Sequence, residues 1–426
     1  MPAASTTCPP VTNWAGNVTY QASRVHRPSS VAELRALVAG SDRIRGLGTG
    51  HSFNLVADSP GELVRLDGLP AVLDVDSTRR TVTVAGGMRY SDVIGPLYRA
   101  GYALPNLASL PHISVAGCVA TATHGSGDGN QCLSASVRAL ELVTPHGEVM
   151  YLDRESHPET FDGSVVALGA LGVVTRLTLD VEGTFDVTQE VRVDVPLEEI
   201  AECADAVFAA AYSVSVFTDW RREHGTVWLK RRADRPGSGW AGGRPARHTL
   251  HPVPGMPPGN STQQLGVPGP WFERLPHFRA DLVPGAGEEL QSEYYLPRAV
   301  AAQAMTALRS VAERLSPYLH IAEVRTVRAD TLWLSPAYER DSVTFHFTWV
   351  KDAAAREAIA AVEELLVPLG ARPHWGKLTM IPAADLAAGY ERAADFRRLL
   401  DDHDPAGKFG NALVSELFPR TAVTST

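Results

Sequence analysis

The chain has 426 residues, 44% of them hydrophobic and 20% charged, with a formal net charge of −9. That length exceeds what one hydrophobic core comfortably fills, so two domains are expected. The acidic balance excludes a general binder of nucleic acid or anionic membranes. No run reaches the length of a membrane helix, "AVFAAAYSVSVF" (206–217) being the nearest, and "MPAASTTCPPVTNW" has no signal-peptide pattern.

Taken in chain order, "SSVAELRALVAG" (29–40) sets Ser30 three residues before Glu33, a capping box that opens a helix. "RIRGL" is a short strand leading into the glycine run "GLGTGHSFN". "TVTVAGG" (81–87), "VRALELV" (137–143) and "GVVTRLTLDVE" (172–182) read as strands, and "SDVIGPLYRAG" (91–101) as a helix ended by Gly101. Strands and helices mix without the beat of a doubly wound sheet, which predicts an α+β fold. Residues 234–270 hold eight prolines and eight glycines and are expected to form a surface excursion, with a lid over a site as the alternative. A long amphipathic helix is predicted over 298–315.

Two strands follow, "IAEVRTV" (321–327) and "VTFHFTWV" (343–350). Side chains alternate faces along a strand. Glu323 and Arg325 therefore share one face of the first, and His346 and Thr348 one face of the second, opposite Phe345, Phe347 and Trp349. Each strand has an apolar side to bury and a polar side able to line a pocket. Lys377, in "PHWGKL", stands among apolar residues, where an ammonium must pair or act.

The glycine run is neither a Walker loop, since Gly50 is followed by His51-Ser52, nor a Rossmann fingerprint, since no helical period follows it. An anion-cradling loop of another type and a plain turn both remain. Two further small-residue stretches, "LASLPHISVAGCVATATHGSG" (107–127) with Ser114 placed to cap a short helix, and "LGALGVVT" (168–175), point to one large phosphate-bearing ligand. Cys8, Cys118, Cys132 and Cys203 show no paired spacing, and no close set of metal ligands is present, so neither a disulfide framework nor a metal site is expected.

As an ordered set, "GLGTGHSFN", "NLASLPHISVAGCVATATHGSG", "LGALGVVT", "EVRTV", "HFTWV", "RPHWGK" and "DPAGKFGNALV" resemble the alditol oxidases of the vanillyl-alcohol-oxidase superfamily over nearly the whole chain. The resemblance implies a two-domain α+β fold. Its FAD-binding domain takes residues 1–183 and is completed by 378–426, and its substrate-binding domain takes 184–377. FAD would be held by Gly46, Leu47, Gly48, Thr49, Gly50, His51, Ser52, Ser109, Ser114, Gly117, Thr121, Ala122, Thr123, His124, Val174 and His374.

The family's covalent flavin link falls on His51. Relatives that add a cysteinyl link carry the cysteine where this chain has Leu110, so attachment through His51 alone is implied. Ser109, Glu323, Arg325, Thr348 and Lys377 would bind the polyol, and Lys377, Arg325 and His346 are the implied catalytic residues. The implied reaction oxidises a terminal –CH2OH of xylitol, sorbitol or a similar alditol to the aldose, with O2 reduced to H2O2. Ala108 leaves oxygen room to approach. The alternative is an aldonolactone oxidase or dehydrogenase, against which Gly376 in "HWGK" and "FTDW" (217–220) speak. A flavin- or sugar-binding protein without turnover is the alternative from another class. A cytoplasmic monomer is expected.

Overall fold

A computed structural model describes residues 11–282 and 287–420; Cys8 lies outside them. The first part of the chain builds two small sheets. One pairs Arg24–His26, Glu62–Arg65 and Ile44–Leu47 in parallel, and the other orders Leu73–Asp76, Thr81–Ala85, Val173–Asp180, Val137–Val143 and Val149–Asp153 antiparallel. Val173–Asp180 alternates buried and partly exposed positions as its sequence predicts. The helix Tyr90–Arg99 buries Val93, Ile94 and Leu97 against this sheet's core and ends at Gly101, whose φ of +86° suits a residue without Cβ.

The second unit is a sheet of nine strands, antiparallel throughout rather than the mixed sheet that the family resemblance implies. Its core runs Asp186–Pro196, His224–Arg232, Ser213–Thr218, Leu319–Val327, Ser342–Val350 and Glu289–Pro297, all antiparallel. Val214, Val216, Ala322, Val324, Phe345 and Phe347 turn to one face and bury against Ala304, Met305 and Leu308 of Ala301–Ser310 and Ile359 and Val362 of Ala355–Leu366. The opposite face, bearing the intervening polar residues, is left for the site. Period-two alternation thus divides each strand between core and chemistry.

After Arg372–Pro373 the chain returns to the first unit. Asn411 caps the helix Ala412–Leu417 and donates to the carbonyls of Leu55, Val56 and Asp58. Arg45, fully buried, donates to the carbonyls of Phe409, Val56 and Leu168, closing the C-terminal segment over the glycine run.

Four local readings change. Glu33 reaches back to the Ser29 N–H at 2.7 Å rather than to that of Ser30, so the capping box is only half formed. The 298–315 helix breaks at Val311 into Ala301–Ser310 and Ala312–Leu315. The apolar stretch 206–217 divides between the helix Ala204–Phe208 and the strand Ser213–Thr218. Ser114 precedes the helix Val115–Ala120, but its Oγ caps nothing.

Candidate active site

A cavity of about 740 Å3 lies where the glycine-rich loops of the first unit meet the polar face of the nine-stranded sheet. Its first half is backbone. Ser114 Oγ fills the space between two glycines: a Cβ on Gly48 would come within 2.3 Å of it, and one on Gly117 within 2.7 Å. Ser114 N–H also donates to Thr49 Oγ1 at 3.3 Å, so the two glycine-rich stretches form one wall. A wall of glycines and small hydroxyl side chains, which lets the backbone come close to a ligand, suits the diphosphate of a dinucleotide cofactor. His51 follows it, its ring stacked on Trp14 at 4.9 Å. Burial, with the charges of His112 and Arg89 adding to it, pulls the imidazole down to about 4 and keeps it neutral.

The other half is ionic. Register aligns Phe217, Glu323, His346 and Glu293 across four adjacent strands. Glu293 is fully buried and accepts from His124 Nε2 at 2.9 Å, Arg325 Nη2 at 2.6 Å and Lys377 Nζ at 2.5 Å. Burial pushes this carboxyl up, but Lys377, Arg325 and His124 together hold it well below its usual range. Lys377 also donates to His346 Nδ1 at 2.8 Å, which places the ring proton on Nε2, 3.2 Å from Thr348 Oγ1. Burial, reinforced by Lys377, lowers His346 to about 3. Burial lowers Lys377 itself, against the pull of Glu293. Arg325 Nε is buried without a hydrogen-bond partner and stands 3.5 Å from Glu323 Oε2. The two residues form an ion pair in the cavity wall.

Most residues singled out in the sequence line this one cavity: Gly46, residues 48–52, Ser109, Ser114, Gly117, Thr121, Thr123 and His124 on the first half, and Glu323, Arg325, His346, Thr348, His374 and Lys377 on the second. Three do not. Leu47 packs with Val18, Tyr20 and Leu63; Ala122 is buried, its carbonyl accepting from Tyr295; Val174 lies in the sheet with its carbonyl against Gly86. Lys377 stands in a turn after Arg372–Pro373 rather than in a strand. The 234–270 segment is not only a surface excursion, since His251, Pro252, Val253, Met256 and Asn260 wall the cavity.

Sequence reasoning missed Glu293 and Gln291. The alternation that selected Glu323 and Arg325 also puts Glu289, Gln291 and Glu293 on one face of "ELQSEYYLP", so a signal was present. Trp14 and His277 carried none: one precedes the first strand and the other lies in irregular chain.

Fold and cradle define a two-domain FAD-binding oxidoreductase. A family model described as "FAD binding domain" matches residues 22–153, and one described as "D-arabinono-1,4-lactone oxidase" matches 288–417. The solved structure of cholesterol oxidase from B. sterolicum superposes with a TM-score of 0.77 at 14% identity, covering 96% of each chain. The chain is 52% identical over 415 residues to the alditol oxidase of a Streptomyces species, covering 96% of this chain and 98% of that one. It is 29% identical to the L-gulono-1,4-lactone dehydrogenase of Mycobacterium tuberculosis (94% and 96% covered) and 26% to the L-gulonolactone oxidase of Bos taurus (95% and 97%). The chain belongs to the alditol oxidases of the vanillyl-alcohol-oxidase superfamily. Among the described residues no helix is long and apolar enough to cross a membrane.

The depressed histidines make stability pH-dependent. His277, about 4, and His346, about 3, stay neutral in the fold but take up protons near pH 6.5 once unfolded. Below pH 6.5 the unfolded state therefore binds more protons, and stability falls as pH falls, by up to about 1.4 kcal/mol per pH unit for each ring. Thermal unfolding between pH 7 and 5 should show this loss, and His346→Gln should make the slope shallower. An equal slope in the variant contradicts the assignment.

Proposed function

We propose that the protein oxidises the terminal primary hydroxyl of an acyclic polyol to the aldehyde, with O2 as electron acceptor and H2O2 as product, using FAD bound covalently through His51. The observation that carries this reading is the Arg325–Glu323 ion pair in the cavity wall, in which Arg325 Nε is buried without a hydrogen bond and 3.5 Å from Glu323 Oε2. One hydroxyl accepts from the guanidinium and donates to the carboxylate, satisfying both. Thr348 and Ser109 offer further hydroxyl partners around the same space. A cavity with several buried donors and acceptors prefers a chain with a hydroxyl for each, because every one missing leaves a partner unpaired at about 1–3 kcal/mol. The similarity to a Streptomyces alditol oxidase supports the same substrate class. The lactone relatives are more distant and supply the second reading.

The chemistry supplied by bound FAD is acceptance of a hydride and its return to O2. The chain's own residues position the alcohol and tune charge. Holding the hydroxyls fixes the reacting carbon and makes its reaction effectively unimolecular. Arg325 and Lys377 place positive charge beside the oxygen as its proton passes to solvent, to be balanced by the proton taken up when O2 becomes H2O2, and a desolvated site strengthens the effect. Lys377 is not a lone ammonium, since Glu293 and His346 anchor it, and that anchoring keeps it aimed. His51, neutral and stacked on Trp14, has the free lone pair that a bond to the flavin requires.

Three measurements test these statements. Peroxide release should be fast with xylitol or sorbitol and much slower with 1-propanol and with L-gulono-1,4-lactone; equal turnover of 1-propanol, or preference for the lactone, overturns the polyol assignment. FAD should remain with the polypeptide after acid precipitation of wild type and become extractable in His51→Ala, and release from wild type rules out the covalent bond. Lys377→Met should leave a yellow, flavinylated protein whose anaerobic reduction at saturating xylitol slows by roughly 10²-fold, the scale of losing one preorganised charge. A raised dissociation constant with an unchanged limiting rate would make Lys377 a binding residue only.

A further inference from the structure

Behind the cavity wall lie buried polar groups that the reaction above does not use. Lys230, on the strand His224–Arg232, is buried, does not line the cavity, and donates from Nζ to the Leu275 carbonyl and to His277 Nδ1, the latter at 3.3 Å. His277 Nε2 reaches Glu323 Oε1 at 2.8 Å, and Ser215 Oγ stands 3.4 Å from the same nitrogen. The His277 ring is held edge-on to Phe217 and Trp228, at 5.2 and 5.4 Å, and its backbone N–H donates to the Ser109 carbonyl at 3.1 Å.

The chemistry of this chain has one sense. An ionised carboxylate can only accept, so the proton of the neutral ring sits on Nε2, pointing at Glu323, and His277 Nδ1 is left to accept from Lys230 Nζ. Burial keeps that ring neutral, with a pKa near 4. Burial also lowers Lys230, to about 7, against the attraction of Glu323. The alternative tautomer would turn a lone pair toward an ionised carboxylate and repel it. With Oε1 engaged by His277, Glu323 keeps Oε2, faced by Arg325 Nε at 3.5 Å, for a substrate hydroxyl.

We propose that Lys230 and His277 are positioning residues for substrate specificity: Lys230 supports the His277 tautomer, and His277 holds the Glu323 carboxylate turned so that its other oxygen receives a polyol hydroxyl. The inference rests on the reading of Glu323 as a polyol-binding residue. It assigns to the buried pair an effect on polyol affinity rather than on the reacting carbon. Lys230 does not reach the cavity, and His277, which lines it, acts here through Glu323.

The test is a double-mutant cycle on the flavin-loaded protein, reading the xylitol dissociation constant and the limiting rate from anaerobic flavin reduction. His277→Phe and Lys230→Met should each weaken xylitol by about 10-fold or more, the scale of one misdirected buried hydrogen bond, while the limiting rate changes much less. His277→Gln, which can accept from Lys230 and donate to Glu323, should restore most of the affinity. In a Glu323→Gln background, His277→Phe should add little, because the group it positions has been neutralised. If Glu323→Gln alone leaves xylitol binding unchanged, the pocket reading fails and the inference with it. If Glu323→Gln weakens binding but the Lys230 and His277 effects are absent, or simply add to it, the pocket reading stands and the inference is overturned. Should His277→Phe fail to fold, Lys230→Met and His277→Gln against wild type and Glu323→Gln decide the same question.

Discussion

A carboxylate with no contact to water is costly unless donors surround it, and Glu293 meets that condition with three at once. Its partners come from three separate stretches. His124 belongs to the small-residue stretch of the first unit, Arg325 to the middle of the nine-stranded sheet, and Lys377 to the turn where the chain leaves that sheet. One buried charge therefore ties the cofactor cradle to the substrate face. Each donor removed leaves this buried charge less fully compensated, so the three stretches are held to one another through it.

The same logic extends outward from that centre. Arg325 divides its guanidinium between Glu293 and the neighbourhood of Glu323, and Lys377 divides its donors between Glu293 and His346. The positive and negative charges balance, while four buried histidines, His124, His277, His346 and His374, are pushed toward the neutral form by burial and by the cations beside them. The result is a polar surface on which the charges of Glu293 and Glu323 are matched by those of Arg325 and Lys377. A neutral, hydroxyl-rich molecule suits it better than an ion.

The backbone half of the site obeys a different constraint, that of space. Gly48 and Gly117 admit no Cβ because Ser114 Oγ occupies the gap between them. Arg45 and Asn411 then fasten the far end of the chain across the loop through main-chain carbonyls. This explains why a late segment, "DPAGKFGNALV", belongs physically with the first domain rather than with the sheet that precedes it.

Much of this was legible in the sequence because it depends on local periodicity. Alternation along "IAEVRTV" and "VTFHFTWV" put Glu323 with Arg325 on one face of the first strand and His346 with Thr348 on one face of the second, and the structure brings the four to one cavity. Glycine spacing marked the cradle, and the ordered motifs marked the family. Only the tertiary structure decided the rest, because it depends on contacts between residues far apart in the chain. Glu293 and Lys377 meet across 84 positions, His277 and Glu323 across 46, and His124 and Glu293 across 169. No local pattern encodes such a distance. Ser114 shows the converse: its position is that of a helix cap, yet the approach of Gly48 from another segment leaves its hydroxyl as a spacer instead. Sequence alone determined which residues could carry chemistry; which of them are paired, and hence which charges are free to act, was set by burial, which makes an uncompensated charge costly.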